Sequence, residues 1–135
     1  MSCIFRVSGD GLDVDALILR NKLAANRIWR RGEPRLLKGR IHSNAGANYI
    51  ASQADLDQFE IQIQETIVFL EKNLSEILAI ACFPGVDDAR LDFGVVYQEN
   101  FVESTYLSPK LLKLIAQAGI GVEISRYASR TDDQS

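Results

Sequence analysis

The stretch "ANRIWRRGEPR", residues 25–35, sets the chain's one tryptophan, Trp29, among Arg27, Arg30, Arg31 and Arg35. Guanidinium groups beside an indole can grip a carboxylate or phosphate, stack on a base, or anchor a protein interface. On a strand, side chains alternate. Arg27, Trp29 and Arg31 then share one face, and Ile28 and Arg30 share the other. Tyr49 is expected as a neighbour on the next strand. Arg27, Trp29, Arg31 and Tyr49 are therefore the expected binding residues. The competing structural account has Trp29 covering the sheet with the arginine stems lying across it.

Other residues with chemical potential lack the settings that chemistry needs. His42, the single histidine in the chain, has no partner in "RIHSN" that would make it a general base. A nucleophile elbow is missing too. Asp87 and Asp88 in "PGVDDAR" are adjacent on a turn, where neighbouring carboxylates point apart. Asp10, Asp13 and Asp15 lack the glycine and closing glutamate of a calcium loop. "GDG" (9–11) has neither the lysine of a phosphate loop nor three glycines at dinucleotide-loop spacing. Cys3 and Cys82 have apolar sequence neighbours and read as small buried hydrophobes in a reducing compartment. Two cysteines and one histidine are too few for a structural zinc site. No catalytic residue, metal or cofactor is expected, and the chain reads as non-enzymatic.

The formal net charge of −3 conceals a segregation. Residues 20–42 hold eight basic residues against Glu33 alone, a balance of +7, whereas residues 43–135 hold six basic and fourteen acidic residues, a balance of −8. This is one basic segment on an acidic body. A sequence pI near 5.1 argues against a dedicated nucleic-acid-binding domain. With no long apolar run and a start, "MSCIFRVSGDG", that does not resemble a signal peptide, a cytoplasmic, non-membrane location is expected.

The elements that must position these residues follow from periodicity. "SCIFRVSG" (2–9) alternates as a strand. Asp13 caps a helix from Val14 to about Leu23. Ile28–Arg31 is a short strand, Leu36–Ser43 a second ribbon, and "ANYIAS" (47–52) a further strand. "SQAD" (52–55) has the form of a capping box opening a long helix. Its buried stripe is Leu56, Phe59, Ile63, Ile67, Leu70, Leu74 and Ile77. The alternation in "FEIQIQ" is outvoted by that longer pattern, and Asn73 or Ser75 is a candidate break. "ARLDFGVVYQ" (89–98) alternates cleanly. "FVESTYL" (101–107) is read as its hairpin partner through Gln98–Asn100. In "SPKLLKLIAQAGIG" (108–121), Ser108 caps, Pro109 starts and Gly119 stops a helix. "GVEISRY" closes as a strand. The expected order is β-α-β-β-α-β-β-α-β: an α+β fold, ferredoxin-like in spirit, with a mainly antiparallel sheet and two or three helices on one face. One domain is expected over residues 1–128, with a polar tail at 129–135.

Four stretches in this order carry a resemblance: the first strand running into "SGDGLDVD", then "RIWRRGEPR", then "LDFGV", then "YLSPKLLKLIAQAGIGVEISRY". Together they resemble a bacterial family of domains of unknown function, number four-two-seven-nine. The likeness spans nearly the whole chain, but its motifs are short and largely structural. It implies a small α+β domain with no assigned activity, and no catalytic residue carries over from it. Relatives neighbouring toxin genes add an immunity role to what it implies.

The expected function is therefore protein binding, through the Trp29 surface or through Asp55, Asp57 and Glu60 facing a basic partner such as a toxin domain. Nucleic-acid binding by segment 20–42 and a small-molecule pocket between sheet and helices are the alternatives. An exposed edge strand would allow a homodimer.

Overall fold

A computed structural model describes residues 1–36, 39–97 and 102–128. The chain runs β1 (Cys3–Gly9), α1 (Val14–Arg20), β2 (Arg27–Trp29), β3 (Ala45–Ser52), α2 (Phe59–Ala81), β4 (Asp88–Tyr97), α3 (Pro109–Ala118) and β5 (Gly121–Ala128). The five strands form one sheet in the order β2-β3-β1-β4-β5. All pairings are antiparallel except β4 with β5, which is parallel. The α+β class and the mainly antiparallel sheet follow the expectation.

The alternation in β1 decides which face is buried. Cys3, Phe5 and Val7 are fully buried, and so are Ala47 and Tyr49 from β3 and Leu91 and Phe93 from β4. The register places Phe5 beside Tyr49 on one side and Leu91 on the other. Helix α2 covers this face, packing against β1, β3, β4 and α3. Its Ile63, Leu70, Ile77 and Ile80 are buried in the same core as Leu111, Ile115 and Ala118 of α3.

Two caps work as their residue types dictate. The Asp13 carboxylate accepts from the Ala16 amide at 3.1 Å. The Ser108 hydroxyl accepts from the Leu111 amide at 3.3 Å, Pro109 opens the helix, and Gly119 closes it in the left-handed region at φ 69°. Asn73 has non-helical angles inside α2, and its side-chain amide donates back to the Phe69 carbonyl at 3.0 Å. The helix kinks there and continues.

The expected capping box at Ser52 does not form. α2 begins at Phe59, with Gln58 in the capping position and no side-chain cap. The Ser52 hydroxyl instead donates to Glu65 at 2.8 Å, and the Gln53 amide donates to the same carboxylate at 3.0 Å. These bonds, first the hydroxyl and then the backbone amide, hold the Glu65 carboxyl below its ordinary value of 4.5. A depressed folded value means that stability from Glu65 is present above the unfolded value and lost as pH falls through the folded one. Glu65→Gln should therefore be less stable than wild type at pH 7. Urea unfolding repeated at pH 3 should show that difference shrinking, and a gap independent of pH would refute the role.

Residues 102–107 form no strand. β4 has two edges, one taken by β1 and the other by β5, so a hairpin partner has nowhere to pair. The parallel β4–β5 pair instead needs a crossover, and α3 supplies it. Of the expected second ribbon at 36–43, residues 37–38 lie outside the described residues, and Arg40–His42 pair back on Gly32–Arg35 through backbone bonds and an isolated bridge between Pro34 and Ile41. The turn at Gln98–Asn100 and the tail at 129–135 lie outside the described residues.

Both cysteines are free, but only Cys3 is buried; Cys82, at the end of α2, is exposed. Burial pushes the Cys3 thiol up to about 12. Native protein should therefore react with a thiol reagent at Cys82 alone, and unfolded protein at both. Equal reactivity of Cys3 in the native state would contradict its placement.

Candidate binding surface

The sheet face turned away from α2 carries Arg6, Asn48, Arg90, Asp92 and Glu123, the residues that alternate with the core positions. Its β1, β4 and β5 portion is charge-paired. Arg6 meets Asp92 at 3.0 Å and Glu123 at 3.5 Å; Arg90 meets Asp88 at 2.8 Å and Glu123 at 3.4 Å. The Ser125 hydroxyl donates to Asp92 at 2.6 Å. Here the charges satisfy one another.

The β2–β3 portion differs. Trp29 lies opposite Gly46 and Arg27 opposite Asn48. The bare backbone of Gly46 makes room for the indole, since a Cβ there would run into the ring. The indole N–H donates to the Asn44 side-chain oxygen at 2.9 Å. The His42 ring stacks on the indole with centroids 5.9 Å apart, and the Arg27 guanidinium lies 5.7 Å from its centroid. His42 reaches this place because the chain reverses after Gly32. Its backbone pairs with Gly32 and Glu33, at 2.8 Å in each bond. The result is a groove of about 470 Å³ walled by Trp29 and His42, with Arg6, Arg27, Arg35 and Asn48 around it.

The structure brings together Arg27 and Trp29 and separates the other two expected residues from them. Tyr49 is fully buried on the opposite face, packed on Phe5 with centroids 5.7 Å apart. It cannot neighbour Trp29, because Trp29 pairs three residues away at Gly46 and an odd offset changes face. β2 ends at Trp29, so Arg31 lies beyond the strand, with its guanidinium donating to the Asp10 carbonyl at 3.4 Å. Arg6, Arg35, His42 and Asn48 join the site instead. The alternation of β1 marks Arg6 as outward-facing, but no local signal places His42 on the indole.

The basic segment is also partly neutralised. Arg30 is held by Asp15 at 2.7 Å and Glu33 at 3.4 Å. The same pair keeps the Asp15 carboxyl below its ordinary value, chiefly through the Arg30 hydrogen bond. Arg27 and Arg35 have no carboxylate partner among the described residues. Lys38 of this segment lies outside the described residues.

A second groove, of about 790 Å³, runs between the start of α2 and residues 104–108, with Asp57, Glu60, Ile61 and Tyr106 along it. Among the described residues no group of three His, Cys, Asp or Glu is placed to hold a metal ion. No helix in the described residues is long and apolar enough to cross a membrane.

Together these features define an α+β domain whose sheet is helix-covered on one face and grooved on the other. The chain belongs to the family described as Domain of unknown function (DUF4279), whose model matches residues 1–129. No curated protein and no solved structure matches it.

Proposed function

We propose that this domain acts by binding another protein, without catalysis, through the groove at Trp29. One observation carries the reading: a half-buried tryptophan is fixed in orientation by Asn44, Gly46 and His42 while lining a concave surface with arginines at its rim. Such preorganised Trp and Arg side chains are what interface hot spots are made of. The buried Cys3 thiol and the stacked His42 ring serve packing, which fits a non-enzymatic role. Free cysteines fit a reducing cytoplasm.

Against nucleic acid, Arg30 and Arg31 are committed to groups of this chain, which breaks up the basic strip. A second reading, a basic partner such as a toxin domain, is favoured by the groove where Asp57 and Glu60 border Ile61 and Tyr106.

Capture from lysate of the source cells, with and without nuclease and at low and high salt, tests the proposal. A single protein retained by wild type through nuclease and salt, and lost by a folded Trp29→Ala variant, supports it. Retention of the same protein by Trp29→Ala and loss by an Asp57→Lys, Glu60→Lys variant would move the interface to the second groove. Capture of nucleic acid, lost with salt, would overturn protein binding.

A further inference from the structure

We propose that the Trp29 groove is a carboxylate-binding site, which rests on the reading above and names what it recognises: an acidic side chain of the partner protein. Arg27 and Arg35 approach the groove with no carboxylate partner among the described residues. Elsewhere on this sheet face the arginines are neutralised by Asp88, Asp92 and Glu123. The contrast is therefore local. Like charges converging on a concave surface repel, and an anion between them relieves that repulsion. The indole and imidazole rings wall the groove, and low-dielectric walls strengthen the attraction over that at an open surface. Arg6 contributes less, since Asp92 and Glu123 already hold it.

Asn48 bears on which anion fits. It lines the groove, and its side-chain oxygen is buried with no hydrogen-bond partner. A donor that reached it beside the bound anion would satisfy it. A peptide provides one, because an aspartate or glutamate carries its own backbone N–H within a few bonds of the carboxylate. A phosphodiester backbone carries acceptors alone.

Trp29 makes the test direct, because it is the chain's one tryptophan and its emission reports this groove. A capped tetraglutamate peptide is titrated into the whole protein at fixed ionic strength, with capped tetraglutamine, inorganic phosphate and a short single-stranded oligonucleotide as parallel probes. A saturable change with tetraglutamate, absent with tetraglutamine, is expected. Arg35→Ala and Arg27→Gln should each weaken it about tenfold, the worth of one charge-assisted hydrogen bond. Asn48→Ala should also weaken it, with folding of every variant checked by circular dichroism. No response to tetraglutamate in folded wild type overturns the inference. So does an equal response in the arginine variants, or tighter binding of phosphate or oligonucleotide. A captured protein partner with no tetraglutamate response would sink the carboxylate assignment alone, and a tetraglutamate response with no captured protein would sink the protein-binding reading.

Discussion

Tyr49→Ala is expected to lower stability by about 3–5 kcal/mol, the usual cost of deleting a fully buried aromatic ring. Tyr49 is 0% exposed, packs on Phe5, and sits in the central layer between β3 and α2. Domains of this size are stable by only about 5–15 kcal/mol, so the variant should be close to unfolding at 37 °C. Tyr49→Phe should behave oppositely. The hydroxyl is buried with no hydrogen-bond partner, and burial pushes it up to about 12. Removing it takes away a desolvated polar group and keeps the ring, so the variant should match or exceed wild type by up to about 1 kcal/mol. Urea unfolding of the two variants checks both. A Tyr49→Phe loss above about 1.5 kcal/mol would mean that the hydroxyl has a partner.

Trp29→Ala is expected to do the reverse of Tyr49→Ala: a modest loss of stability and a large loss of partner affinity. The indole rests on Gly46 and His42 but is open to the groove, so its deletion leaves a widened surface and no sealed cavity. Affinity should fall by about 2–4 kcal/mol, the range for a central aromatic hot spot. Gly46→Ala reaches the same site from beneath. The added Cβ meets the indole and the Val7 carbonyl, so the ring must leave its seat. The expected cost is about 1–3 kcal/mol of stability from overpacking, together with loss of binding. Calorimetric titration of the partner against both variants measures this. Full affinity in Trp29→Ala, or in a Gly46→Ala protein whose indole is displaced as judged by its emission, would remove Trp29 from the interface.

Much of the fold was legible because it rests on local chemistry. The β1 alternation, the Asp13 and Ser108 caps, the Pro109 start and the Gly119 stop each involve groups a few residues apart. The long apolar stripe of α2 rightly outweighed "FEIQIQ", and Asn73 marked the kink. Where partners are distant, the local rules failed. Ser52 has the right neighbours for a capping box, but Glu65 takes its hydroxyl from thirteen residues away. "FVESTYL" has strand composition, but both edges of β4 were already filled.

The site was half legible for the same reason. The alternation in "RIW" put Arg27 and Trp29 on one face, and they are. Tyr49 depended on the β2–β3 register, and a shift by an odd number of residues turns a surface aromatic into a core one. Arg31 depended on β2 continuing for two more residues. His42, thirteen residues after Trp29, meets it because the chain folds back through Gly32 and the Pro34–Ile41 bridge.

On the proposed reading, a protein partner sits over the Trp29 groove. A photo-cross-linking residue at position 36 tests it most directly, since Leu36 lines the groove and is 90% exposed. The control is the same residue at Leu19 of α1, 86% exposed and outside the groove. In living cells one protein is expected to be joined at position 36, not at 19, and lost when Trp29→Ala is added. Equal cross-linking at both positions, or a position 36 product unchanged by Trp29→Ala, would contradict it.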